Sequence, residues 1–111
     1  MPVKPLTFLG DSRKTIQGFP TPMKRQAGVQ LFELQRGREP ADWKPMATVG
    51  SGVNEIRLRD ENGIARIFYV AKFEEAIYVL HAFEKKTQKT DSRDIDIAKR
   101  RYKVLIEERG R

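Results

Sequence analysis

Arg57, Arg66, His81, Lys85 and Lys86 are the residues whose types and spacing suit chemistry, with Arg59 and Lys89 beside them. They fall in three segments that read as strands or strand ends. These are Asn54-Glu55-Ile56-Arg57-Leu58-Arg59, Ala65-Arg66-Ile67-Phe68-Tyr69-Val70, and the run Val79-Leu80-His81-Ala82-Phe83-Glu84-Lys85-Lys86-Thr87-Gln88-Lys89-Thr90. Positive side chains fixed on rigid strands hold a polyanion in one geometry. Arginine adds a planar fork that matches phosphate oxygens.

Turn parity decides whether these groups meet. A four-residue loop Asp60–Gly63 sets Arg59 opposite Ile64 and Arg57 opposite Arg66, whereas a two-residue Asn62-Gly63 loop sets Arg59 opposite Arg66. In either register the arginines share one face. Like charges directly opposite cost stability, so a sheet under no other demand tends to avoid them. At the next hairpin, a Glu74-Glu75 turn sets Phe73 opposite Ala76, Arg66 opposite Phe83 and Phe68 opposite His81. Arg57, Arg66, His81 and Lys85 then line one surface across three strands. Each residue also has a plainer reading. Arg57 and Arg59 suit a solvent-facing strand, Glu55 can be the counter-ion of a buried Arg66, and a lone histidine is commonly a satisfied core residue.

The elements that position these groups follow from local signals. Leu6–Leu9 reads as a short strand ended by Gly10, and Asp11-Ser12 can cap a short helix from Arg13 to Gln17. Thr21 as N-cap with Pro22 at the first helical position starts a helix that runs to about Arg36 and ends at Gly37. Its apolar stripe is Ala27, Leu31 and Leu34, and Gly28 weakens it. From Arg38 to Gly52 the prolines and glycines predict a loop, pinned to the core by Trp43 and Met46. Residues 53–59 alternate as a strand with one buried face, and Asn62-Gly63 suits a hairpin turn of positive φ. Residues 64–72 and 76–85 are apolar on both faces, as central strands are. A last helix begins near Asp91-Ser92 with a stripe of Ile95, Ala98, Tyr102 and Leu105, its charges ordered to suit the macrodipole. The expected fold is therefore a single α+β domain over residues 1–111. It has one antiparallel sheet, an N-terminal strand plus a three-stranded meander, with two N-terminal helices and a C-terminal helix packed on it.

Composition limits the function classes. The chain has 111 residues, enough for one domain. Its formal net charge is +7, with 22 Lys/Arg against 15 Asp/Glu, and the surplus lies at the two ends of the chain. That balance suits a phosphate-bearing or acidic partner. Cysteine is absent and there is one histidine, which excludes a disulfide framework, a thiolate metal site and a paired-histidine mechanism. The N-terminus lacks a signal-peptide h-region and no apolar stretch reaches membrane-spanning length, so the cytoplasm is the expected location.

The three segments together, above all Leu80-His81-Ala82-Phe83-Glu84-Lys85-Lys86-Thr87-Gln88-Lys89-Thr90, resemble the RelE/ParE toxin superfamily, most closely its phage-derived HigB-like branch. The element order and length fit too. The resemblance implies a RelE-like fold and the toxin of a type II toxin–antitoxin system: an mRNA interferase, often ribosome-dependent, neutralised by a helix-turn-helix (HigA-like) antitoxin in a toxin–antitoxin hetero-oligomer. It carries catalytic roles to Arg57, Arg66, Lys85 and Lys86, places His81 in the branch's motif, and needs no cofactor and no metal. Arg59 and Lys89 would bind RNA. Tyr102 is the C-terminal candidate for the tyrosine or histidine of some relatives, yet its place in a helix stripe argues for a core role.

Cleavage by transesterification needs a base for the 2′-hydroxyl, an acid for the leaving 5′-oxygen and positive charge on the phosphorane. In this scheme Arg57 and Arg66 grip the phosphate. Lys85 or Lys86, its pKa depressed by neighbouring cations, supports charge or donates a proton, and His81 or Glu55 is the base. Alanine at Arg66 is expected to abolish growth arrest with the fold intact. Three other functions share the fold pattern: a ParE-like DNA gyrase inhibitor, a non-catalytic basic nucleic-acid-binding module, and an inactive toxin-like partner of an antitoxin.

Overall fold

A computed structural model of the chain describes residues 3–85 and 91–111. Lys86 and Lys89 lie outside the described residues. The elements in chain order are β1 (Leu6–Phe8), α1 (Ser12–Gln17), α2 (Thr21–Gln35), β2 (Trp43–Pro45), β3 (Val53–Asp60), β4 (Gly63–Val70), β5 (Ile77–Lys85) and α3 (Ser92–Arg109). They form an α+β fold of one five-stranded sheet, in the order β1-β5-β4-β3-β2, with helices on both faces, compatible with the RelE-like architecture.

Two features of the sheet differ from expectation. It is mixed rather than antiparallel, because β1 runs parallel to β5, with Leu6 opposite Ile77 and Phe8 opposite Val79. The chain leaves β1 through α1 and α2 and crosses the sheet before β5, and such a crossover permits a parallel pair where a hairpin would not. The segment between Arg38 and Gly52 is also not all loop. Trp43–Pro45 pairs with β3 as an edge strand, Trp43 opposite Ile56 and Lys44 opposite Glu55. Proline at the end of an edge strand costs no ladder bond when its nitrogen faces away from the neighbour.

The β3–β4 hairpin takes the register of the four-residue alternative, with Arg57 opposite Arg66 and Arg59 opposite Ile64, but Asp60 and Gly63 also pair, so Glu61 and Asn62 alone connect the strands. Gly63 is not among the glycines at positive φ. The turn is instead held by Asp60, whose Oδ1 accepts from the backbone N–H of Asn62 (2.8 Å) and of Gly63 (2.9 Å). At β4–β5 the pairs Arg66–Phe83 and Phe68–His81 form as predicted, but the register then shifts to Tyr69–Val79 and Val70–Tyr78. Phe73 and Ala76 are consequently outside the ladder. The extra residue is Leu80. It makes Leu80 and His81, consecutive in sequence, both serve the α3 side of the sheet.

The two faces hold separate cores. α1 and α2 bring Ile16, Met23, Ala27, Leu31 and Leu34 onto Ile56, Leu58, Ala65, Ile67, Tyr69, Ile77 and Val79. α3 brings Ala98 and Leu105 onto Val53, Phe68, Val70, Leu80 and Phe83. The helix ends agree with sequence to within a residue. Pro22 sits in the first turn of α2 and Gly37, at φ 80, follows its end, though the N-cap is Pro20 and not Thr21. Asp91 caps α3 by accepting from the Arg93 N–H at 2.8 Å. Asp11 was expected to cap α1 but makes no side-chain cap bond; its carboxylate accepts from Arg101 of α3 at 2.9 Å. Among the described residues, no helix is long and apolar enough to cross a membrane.

Candidate functional site

The alternation of β3 puts Glu55, Arg57 and Arg59 on the α3 side of the sheet, and the register adds Arg66 from β4 and Lys85 from β5. Arg57 and Arg66 stand directly opposite one another, beyond the apolar residues that α3 covers. Glu55 lies between them. Its Oε1 is 3.5 Å from Arg66 Nε and 4.0 Å from Arg57 Nε. Glu55, Arg66 and Lys85 are buried, at 1%, 2% and 8% exposure, whereas the Arg57 side chain keeps a third of its surface and Arg59 is exposed. The cluster thus has a buried floor and an accessible rim.

Burial sets the electrostatics. It lowers the pKa of Arg66 despite the opposing pull of Glu55, and Arg57 lowers it further. Lys85 is pushed below the usual lysine range, first by burial and then by Arg66, with smaller contributions from Lys44 and Arg57. Among the described residues, a buried ammonium and two guanidiniums gather around one carboxylate, in a medium that screens charge poorly. Such a site attracts an anion more than a neutral ligand. Among the described residues, no group of three or more His, Asp and Glu side chains is disposed to hold a metal ion.

Lys44 is the residue sequence reasoning missed. It was assigned to a loop, but β2 sets it opposite Glu55, on the same face as Arg57, and it is exposed. The cationic surface therefore spans four strands, from Lys44 through Arg57 and Arg66 to Lys85. The only signal in the sequence was an aromatic residue before a lone lysine, too short to show alternation.

His81 shares the face but not the cluster. Phe83 comes between, stacked on the imidazole at 5.3 Å and packed edge-on against Phe68 at 5.2 Å. Both ring nitrogens are engaged: Nε2 lies 2.8 Å from Asp94 Oδ1 and Nδ1 lies 3.4 Å from Arg101 Nη1. The pattern fits a neutral ring that donates from Nε2 and accepts at Nδ1. The same Arg101 nitrogen donates to the Leu80 carbonyl at 2.9 Å, on the residue the bulge leaves unpaired in the ladder. Arg101 can lie there because Gly10, at φ 55, has no side chain; a Cβ at that position would run into its guanidinium. Tyr102 has the core role expected of it. Its hydroxyl donates to the Ser51 carbonyl at 2.7 Å, and its ring packs in the α3 core.

The family description Phage derived protein Gp49-like (DUF891) matches residues 14–103. The chain belongs to that family. It is a toxin-like family of the RelE/ParE type, and the matched span contains β2 to β5 and every residue of the cationic surface described above. No curated protein matches the chain.

Proposed function

We propose that this Gp49-like chain is a HigB-like toxin that cleaves mRNA without a metal, on the ribosome, and that a helix-turn-helix antitoxin neutralises it in the cytoplasm. The observation that carries the reading is the Arg57–Arg66 pair. Two like charges stand opposite each other across a ladder, one of them buried, around a single carboxylate. Like charges directly opposite each other disfavour folding, and the partly exposed Arg57 of the pair offers a phosphodiester a guanidinium to meet.

In this reading Arg57, the accessible guanidinium, grips the scissile phosphate, flanked by Lys44 and Arg59. Arg66, buried beneath the surface, stabilises the phosphorane through its fixed charge. The 2′-oxygen attacks phosphorus, the 5′-oxygen leaves, and the products are a 2′,3′-cyclic phosphate and a 5′-hydroxyl. Lys85, its pKa depressed, suits the proton donor for the leaving oxygen. Of the two expected bases Glu55 is the one that lies among the arginines, though it is buried and ion-paired, whereas both nitrogens of His81 are engaged and Phe83 separates the ring from the cluster. Among the described residues Glu55 Oε2 has no hydrogen-bond partner. His81 then acts as part of the clamp that holds α3 on β5.

The test is end-mapping of a defined mRNA incubated with the purified chain, with and without ribosomes, beside a gyrase supercoiling assay. Cleaved ends bearing cyclic phosphate, lost in Arg57→Ala, are expected. Intact RNA under both conditions together with inhibited supercoiling would replace this reading by the ParE-like one. Salt-dependent RNA binding with no product and no gyrase effect would reduce it to a basic binding module.

A further inference from the structure

Helix α2 has two stripes. The inner one, Met23, Ala27, Leu31 and Leu34, fills the core. The outer one is Pro22, Arg25, Val29, Phe32 and Arg36, recurring at alternating intervals of three and four residues. Val29 is 58% exposed and Phe32 48%. An exposed apolar pair at that spacing, on a helix whose other stripe is already in the core, is the seam that a second helix would meet. Gly28 lies beside the seam with open space around its Cα, so another backbone can approach closely.

The chain start widens this surface. The Lys4 N–H donates to the Gln35 carbonyl at 3.1 Å, and Gln35 Nε2 donates to the Lys4 carbonyl at 2.8 Å. This laces the segment to the end of α2 and leaves the exposed Val3 beside Phe32, in a concavity of about 600 Å³. The rim is cationic. Lys4, Arg36 and Arg38 line the concavity, Arg25 continues the seam, and the Arg36 guanidinium lies 5.5 Å over the Phe32 ring. Glu33 is the acidic residue among them, shared between Arg36 at 4.0 Å and Arg38 at 3.6 Å.

We infer that the outer face of α2 docks an amphipathic helix of a partner protein whose apolar stripe is flanked by carboxylates. Helical form follows from the three–four spacing. Acidic flanks follow from the rim, where Arg25, Arg36 and Arg38 outnumber Glu33, while the Lys4 ammonium donates to the Ala71 carbonyl at 2.8 Å. A second copy of this chain is disfavoured because both surfaces would bring the same cations together. A nucleic acid would leave phosphates against Val29 and Phe32. The surface is on the opposite side of the sheet from the Arg57–Arg66 pair, so an occupant leaves the cationic cluster uncovered. The inference does not depend on what that cluster does.

The probe is a labelled helical peptide of three heptads with leucine at the seam positions and glutamate flanking them, titrated by fluorescence anisotropy against the full chain. Binding is expected, weakened about tenfold or more by Val29→Glu/Phe32→Glu and unchanged by Arg57→Ala. A peptide with lysine flanks should bind the wild type poorly and recover on Arg25→Glu/Arg36→Glu. All substituted α2 positions are exposed, and a cooperative thermal melt verifies each variant; Val29→Ser/Phe32→Ser replaces any that fails. The inference is overturned by equal binding of a scrambled peptide of the same composition, or by loss on Arg57→Ala with none on Val29→Glu/Phe32→Glu. It is also overturned by a wild-type dimer on light scattering that the Val29→Glu/Phe32→Glu variant disperses, since that face would then belong to a second copy.

Discussion

Arg66→Ala, the obvious test of the site, is expected to unfold part of the population rather than report on chemistry. Arg66 is 2% exposed and its Nε lies 3.5 Å from a carboxylate that is 1% exposed. Truncation leaves Glu55 in the interior with the one-third-exposed Arg57, 4.0 Å away, as its remaining ion-pair partner among the described residues. Breaking a buried pair from one side costs about 3–5 kcal/mol, out of roughly 5–15 kcal/mol for a domain of this size. At about 4 °C per kcal/mol the melting temperature should fall by about 12–20 °C. Replacing both members, as Glu55→Gln/Arg66→Met, removes the charge and its counter-charge together and should return stability to within about 1 kcal/mol of wild type. Urea melts followed by circular dichroism measure this, and cleavage assays on the folded double variant then test the chemistry alone. The reasoning fails if Arg66→Ala melts within about 1 kcal/mol of wild type, or if the double variant is as unstable as the single one.

Lys44→Ala should leave the fold unchanged but reduce the salt dependence of single-stranded RNA binding by about 0.7 in log–log slope, the share of one phosphate contact; an unchanged slope would remove Lys44 from the surface. Lys85→Met should remove a pH dependence: a lysine whose folded pKa is depressed by burial costs stability while charged, a cost relieved as pH rises through the folded value toward the ordinary 10.5, so the wild type should gain on the variant in alkaline melts; parallel curves on calorimetry would refute this. Glu75 has its pKa lowered from 4.5 to about 2, chiefly by hydrogen bonds from Arg109. Its stabilising contribution is therefore complete above pH 4.5 and lost as pH falls toward 2, so Arg109→Ala should flatten the stability–pH curve across that window, read by melts in a pH series. His81→Ala and Asp94→Ala should each destabilise by about 1–3 kcal/mol and together by clearly less than the sum, measured as a double-mutant cycle; additive losses would show that the 2.8 Å contact carries no coupling.

The cationic face was legible in sequence because it rests on parity. Alternation in β3 put the arginines on one face with His81 and Lys85 for either turn length, and the ladder itself then decides that Arg57, not Arg59, stands opposite Arg66. What was not legible depends on contacts distant in sequence. The direction of β1 is fixed by its pairing with a strand about seventy residues later. Trp43–Pro45 becomes a strand only because β3 offers it an edge. The bulge at Leu80 has no local signature, since Leu80 is apolar like its neighbours. It is explained by the Arg101 guanidinium that takes its carbonyl. In sequence Asp94 and Arg101 fit a helix with ordered charges, and nothing local marked them as the partners of His81.

The bulge also explains how one face serves two purposes. Without the extra residue, continued alternation from His81 would carry Leu80 to the α1–α2 side. With it, Leu80 fills the α3 core while His81, next in sequence, reaches Asp94 and Arg101. α3 is thereby clamped at the middle of β5, and the C-terminal end of the strand, where Lys85 meets Arg66 and Arg57, lies beyond its apolar contacts. The histidine ring therefore sits where the helix packs on the sheet, and Phe83 separates it from the cationic cluster.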